Sequence, residues 1–206
     1  MSVLENNVNK FGSAMILAGG KSSRMGFDKQ FLKLENKSNI ESLIEKLSPI
    51  FDEFIIVTNK QDLYDKENLK IVSDEIKDKG PLSGIYIGLK TARSKYVYCI
   101  ACDMPIVNLG YIKHMMEILD RESNLAIVTR ALVGIEPFNA FYSKDLVDDI
   151  ERHLMEEKRD VKSLLEKVKT SYISYRKALS FSPDWSMFLN LNTREDLEVY
   201  ESFKSR

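Results

Sequence analysis

The stretch that most constrains this chain runs from Leu17 to Lys29 and reads LAGGKSSRMGFDK. It follows a short apolar run, Ala14 to Leu17, that reads as a first β-strand. Gly19, Gly20 and Gly26, two serines, and the cations Lys21, Arg24 and Lys29 then arrive within one loop. Glycine admits backbone conformations closed to other residues and lets the main chain approach a ligand. Successive free N–H groups in such a loop form a concavity for anions. With the added cations, the natural ligand is a chain of phosphates.

Two commoner phosphate loops fail on spacing. A P-loop needs glycine five residues before its Gly-Lys-Ser/Thr unit, and Met15 stands there relative to Gly20-Lys21-Ser22. A dinucleotide fingerprint needs G-x-G-x-x-G, which the order Gly19, Gly20, Gly26 does not give. A plain turn needs only one or two such residues, so the excess of glycine and cation argues for a third phosphate-binding geometry.

The remainder of the chain supplies a frame for that loop. Strand-like and helix-like segments alternate, which predicts an α/β fold with a mostly parallel sheet. Strands are expected at Ala14–Leu17, Phe54–Val57, Leu69–Val72, Tyr96–Ala101, Leu125–Thr129, Phe138–Tyr142 and, late in the chain, Tyr172–Tyr175. Helical stripes recur at Ile40/Leu43/Ile44/Leu47, Leu82/Ile85/Tyr86/Leu89, Ile112/Met115/Met116/Leu119, Leu146/Val147/Ile150/Leu154 and Val161/Leu164/Leu165/Val168. Pro49 closes the first of these helices and Pro81 opens the second, where its missing N–H costs nothing. Asn108 and Ser143 are placed as N-caps, and Thr193 with Asp196 as a capping box for a last helix.

Length and charge exclude other classes. At 206 residues the chain suits one domain, 1–206, with residues 1–12 as a flexible lead-in. A net charge of −1 gives no general pull toward nucleic acid or an anionic membrane. No apolar run has the length of a membrane span, and the polar start lacks a signal-peptide core, so the cytoplasm is the expected compartment. Cys99 and Cys102 suggest a redox pair, but on a strand positions three apart face opposite sides, which favours two reduced, buried thiols. The two histidines, His114 and His153, fall on separate helices and read as core-edge or surface residues. Asp52, Glu53, Asp62 and Asp65 read as a solvated acidic face.

Ligands of open α/β sheets sit outside the carboxyl ends of the strands. The residues that follow the first four strands are the glycine-rich loop, Thr58 with Asn59, Asp74, and Asp103, so four strand ends converge on one expected cleft. Lys29 and Arg24 suit triphosphate oxygens, Arg as a planar fork and Lys as a point charge; Lys21 is a weaker member of the set. Asp103, in ACDMP, suits Mg²⁺, which takes one or two carboxylates together with phosphate oxygens. Asn59 and Asp74 suit hydrogen bonds to a base or ribose.

LAGGKSSRMGFDK resembles the signature L-A-G-G-x-S-x-R-M-G-x-D-K of nucleotidyltransferases, and within them the molybdenum cofactor guanylyltransferases. Gly80-Pro81-Leu82-Ser83-Gly84 and Cys102-Asp103-Met104-Pro105 extend the likeness, with fainter echoes in PFNAFY, 137–142, and NLNTREDL, 190–197. The turn Glu35–Asn39 departs from the Gly-Lys-Pro often found there. The resemblance implies a Rossmann-like three-layer sandwich of the nucleotide-diphospho-sugar transferase type. It implies backbone contacts to nucleotide at Leu17, Ala18, Gly19 and Gly20, with contacts to GTP from Lys29, Asn59 and Asp74. Asp103 is implied to bind both GTP and Mg²⁺. It further implies Lys29, Arg24 and Asp103 as the catalytic set, a molybdenum-molybdopterin acceptor near Asn190 and Asn192, and a link to molybdoenzyme-maturation proteins. Trp185 reads either as a lining of that acceptor pocket or as core. Two alternatives stay open on the residues: a relative that uses CTP or another phosphorylated acceptor, and a non-catalytic nucleotide-binding protein.

Overall fold

A computed structural model describes residues 9–18, 33–34, 37–60, 69–73 and 80–204. The chain begins with β1 (Ser13–Leu17) and a small antiparallel pair, β2 (Lys33–Leu34) and β3 (Lys37–Ser38). There follow α1 (Asn39–Leu47), β4 (Glu53–Val57), β5 (Lys70–Val72), α2 (Pro81–Thr91), β6 (Tyr96–Ala101) and α3 (Leu109–Glu122). The second half holds β7 (Ala126–Arg130), β8 (Ile135–Ser143), α4 (Val147–Met155), α5 (Val161–Leu165), β9 (Thr170–Ile173), α6 (Tyr175–Leu179) and α7 (Arg194–Lys204).

Seven strands form one sheet in the order β5-β4-β1-β6-β8-β7-β9. All neighbours pair in parallel except β8, which is antiparallel to both β6 and β7. The central strands read as unbroken apolar runs because both faces are covered. Ala14, Ile16, Ile56, Tyr98 and Ile100 point to one face, with the stripes of α1 and α3. Met15, Leu17, Ile55, Val57, Val97 and Cys99 point to the other, with α2, α4 and α5. This is the three-layer α/β sandwich that the resemblance implied.

Local chemistry fixes the helix starts. The Ser38 hydroxyl accepts from Glu41 N, and the Glu41 carboxylate accepts from Ser38 N, closing a capping box on α1. Asn108 caps α3 through Tyr111 N, and Thr193 with Asp196 forms the expected box before α7. Ser143 caps a single 3-10 turn, Lys144–Leu146, which leads into α4.

Several expectations needed correction. Residues 9–12 are not a loose lead-in: Phe11 is buried and stacks on Tyr96 at 5.3 Å between centroids, and Gly12 O accepts from Asp52 N and Glu53 N. The helix on the Val161 stripe stops at Leu165, before Val168. The late strand ends at Ile173, and Tyr175 opens a helix capped by Ser174. Glu53 is not on a solvated face. It is 4% exposed at the start of β4, where its carboxylate accepts from Ser13 Oγ, Arg93 N and Arg93 Nε and pairs with Lys70 at 2.6 Å. Burial pushes the Glu53 carboxyl up, but these donors outweigh it and hold it below the usual range.

Candidate active site

From β1 the chain builds outward to β4 and β5, then crosses back to place β6 on the other flank of β1. The strand order therefore reverses between β1 and β6, and a crevice opens there at the carboxyl ends. Leu17 pairs with Ala101, and Cys102 N donates to Leu17 O at 3.0 Å. The point from which the glycine-rich loop departs thus lies beside the Cys102-Asp103 turn. Ala18 N donates to Val57 O at 2.8 Å, so both that N–H and the Leu17 carbonyl are committed to ending the strand.

Asp103 is half-buried in a turn tied down from three directions. Met104 N donates to Ala101 O at 3.1 Å, and Leu191 N donates to Asp103 O at 2.8 Å. Lys46 Nζ donates to Pro105 O at 2.8 Å. The 190–192 segment is thereby joined to the Asp103 turn. Asn190 is half-buried and donates to Phe188 O at 3.2 Å, while Asn192 is exposed and its N–H donates to Asp196.

In the stretch GPLSG, 80–84, Gly80, Pro81, Ser83 and Gly84 each acquire a physical reason. Gly80 has φ +73°, and a Cβ there would also meet Arg159 O at 3.4 Å. Pro81 takes the first helical position, and Ser83 Oγ donates to Gly80 O at 2.8 Å. Gly84 lets α2 close on Leu17 and Val57, whose side chains would stand 3.4 and 3.6 Å from an added Cβ. Gly88, one turn on, lies over Met15. The helix is therefore pressed against the last residues of β1 and β4, and its first turn reaches past them to the carboxyl edge.

On the β4 flank, Thr58 N donates to Val72 O, Thr58 is buried, and Asn59 is exposed at the strand end. Asn59, Asp103, Leu17 and Ala18 thus share one edge of the sheet. Gly19, Gly20, Lys21, Arg24, Lys29 and Asp74 lie outside the described residues. Among the described residues no three His, Cys, Asp or Glu side chains cluster as a metal site. Among the described residues Asp103 supplies one carboxylate at the strand ends, the kind of ligand that a hard cation shared with phosphate oxygens takes. Asp103 is thus chemically suited to Mg²⁺.

On the β8 flank, sequence reasoning missed two residues. Asn139 is buried with φ 55°; its Oδ1 accepts from Tyr98 OH at 2.8 Å and its Nδ2 donates to Met187 O at 3.3 Å. Glu136 pairs with Thr129 across β7 and β8, on the side where the Thr129 hydroxyl bonds Tyr111 OH. Burial pushes the Glu136 carboxyl up and the Tyr111 phenol to about 12. The one available signal was a pair of polar residues inside the otherwise apolar IEPFNAFY run. Trp185 is half-buried, with Tyr175 at 4.7 Å and Phe188 at 4.4 Å between ring centroids. The two cysteines form no disulfide and are buried on opposite faces of the sheet. His153 is buried against Ser163 at 2.8 Å, and His114 stacks on Phe181. Neither histidine touches the crevice residues in any of these contacts.

The mostly parallel sheet, the reversal of strand order beside β1 and the polar residues at the strand ends are those of an α/β nucleotide-binding protein. The profile of the MobA-like NTP transferase domain matches residues 14–172, and the chain belongs to that family. A molybdenum cofactor guanylyltransferase of Syntrophotalea carbinolica is 54% identical over 191 residues, covering 93% of this chain and 91% of that protein. A probable molybdenum cofactor guanylyltransferase of Peptoclostridium acidaminophilum is 53% identical over 92% of this chain and 88% of its own length. The crystal structure of molybdopterin-guanine dinucleotide biosynthesis protein A from Archaeoglobus fulgidus superposes with a TM-score of 0.80 at 25% identity, covering 94% of this chain and 98% of that one.

Proposed function

We propose that this chain transfers GMP from GTP to the terminal phosphate of molybdenum-molybdopterin, releasing pyrophosphate. The observation that carries this reading is the crevice between β1 and β6, where the glycine-rich loop leaves Ala18 beside the Asp103 turn. The names of relatives 53% and 54% identical support guanylyl transfer and the pterin acceptor.

A phosphate oxygen of the acceptor attacks the α-phosphorus of GTP, and the bond from that phosphorus to the bridging oxygen breaks. The acceptor phosphate is already an anion near pH 7, so the protein needs no dedicated general base. Its task is positioning and charge neutralisation. Lys29 and Arg24 neutralise charge that gathers on departing pyrophosphate. The first turn of α2, whose N-terminal dipole end lies at the carboxyl edge, favours the same anions. Asp103 would hold Mg²⁺, which would supply charge neutralisation on phosphate oxygens. Among the described residues no helix is long and apolar enough to cross a membrane. That agrees with a cytoplasmic enzyme, and the acceptor chemistry makes molybdoenzyme-maturation proteins its natural partners.

The test measures pyrophosphate release with GTP, CTP, ATP and UTP, each with Mg²⁺ and with or without molybdopterin. Release with GTP alone among the four, and only with acceptor, is the expected result. Preference for CTP, or no release with any nucleotide, would sink the proposal.

A further inference from the structure

Resting on that reading, we propose that Glu136 recognises the acceptor, its carboxylate accepting the paired N–H donors on the amino-oxo-pyrimidine edge of the pterin. β8 runs opposite to β6, so Glu136, its second residue, comes to the same edge of the sheet as Asp103. Its register with Thr129 turns it toward the α3 face. There the Thr129 and Tyr111 hydroxyls bond each other and leave the carboxylate to another ligand. Among the described residues the Glu136 carboxylate has no hydrogen-bond or ion-pair partner, although the residue is half-buried. A half-desolvated carboxylate without a donor is costly unless something else supplies one.

The same flank carries a platform for a flat ring. Trp185 leans on Phe188, and Phe188 meets Tyr111 edge-on at 6.0 Å. Trp185 is held at φ 61°, a conformation disfavoured for a bulky residue and concentrated at functional sites. From Trp185 the chain runs six residues, at most about 20 Å, to Leu191, whose N–H grips Asp103 O. One short segment therefore joins the ring platform to the turn where phosphate is transferred.

Guanine offers the same pair of donors, and position separates the two ligands. Thr58 and Asn59 follow β4, on one side of β1; Glu136 lies beyond β6, on the other. The nucleotide takes the first flank and the acceptor the second.

The test varies GTP and molybdopterin separately in Glu136→Gln and in Glu136→Asp, which keeps the charge. In Glu136→Gln the acceptor KM should rise about tenfold or more, with the GTP KM and kcat at saturating acceptor within about twofold. Glu136→Asp should fall between that variant and the wild type. Trp185 is the only tryptophan, so its fluorescence reports acceptor binding without turnover. Molybdopterin should quench it without GTP, and about tenfold more acceptor should be required in Glu136→Gln. An unchanged acceptor KM and quenching curve would overturn the assignment, as would a rise confined to the GTP KM. Quenching that depends on Glu136 in a wild-type protein that transfers nothing from GTP would uphold the contact and remove guanylyl transfer instead.

Discussion

Replacing Asn139 by alanine removes the acceptor of the Tyr98 hydroxyl and the donor to Met187 O in one step. Tyr98 is fully buried, so its O–H would have no water to turn to. An unpaired buried donor costs about 1–3 kcal/mol. The backbone adds to this, because φ at 139 is 55° and alanine disfavours that region by about 1 kcal/mol relative to asparagine. The expected loss is therefore about 2–4 kcal/mol, a large share of the ~5–15 kcal/mol that holds a domain together. For a chain of this size it corresponds to a fall in Tm of about 4–16 °C. Urea unfolding of Asn139→Ala, Asn139→Gly and Asn139→Ala with Tyr98→Phe separates the parts. Glycine should recover about 1 kcal/mol by relieving the backbone. The double variant should be less destabilised than the sum of its singles, because the stranded hydroxyl is gone. A loss below about 0.5 kcal/mol in Asn139→Ala, or strict additivity in the double variant, would refute the reasoning.

Four further outcomes follow from the same structure. Glu53→Gln should destabilise by about 1–3 kcal/mol. Because the folded value of Glu53 lies below its ordinary 4.5, its contribution is complete above that pH and is lost as pH falls through the lowered value. The gap between wild type and variant should therefore close in acid, and a gap that is constant with pH would contradict this. Gly80→Ala forces a Cβ onto a φ of +73° and toward Arg159 O, so denaturant curves should show a loss of about 1–2 kcal/mol; an unchanged midpoint would remove the strain argument. Cys99 and Cys102 lie on opposite faces, so mild oxidation should give no internal disulfide by mass and both thiols should react only after unfolding. Asp103→Ala should abolish pyrophosphate release at saturating Mg²⁺ while leaving the Tm within a few degrees; near-normal turnover would take Asp103 out of the mechanism.

What the sequence determined alone is what depends on near neighbours. Short unbroken apolar runs marked the strands, and the 3.6-residue period marked the helices. Asn108 and the Thr193–Asp196 pair marked helix starts because a cap needs only residues three apart. The Leu17–Lys29 loop and the polar residues after each strand located the expected cleft, since a parallel sheet gathers its carboxyl ends by construction. Pairing between distant segments was decided only in the tertiary structure. The reversed direction of β8 brings Glu136 to the Asp103 edge, and nothing in IEPFNAFY by itself states which way that strand runs. Glu53 looked solvated because its partners, Ser13, Lys70 and Arg93, lie 17 to 40 residues away, and the burial of a carboxylate depends on which donors arrive. Asn139 looked like a break in an apolar run until Tyr98 and Met187 were folded onto it. Local patterns specify which atoms avoid water; only the assembled sheet specifies which polar atoms meet there.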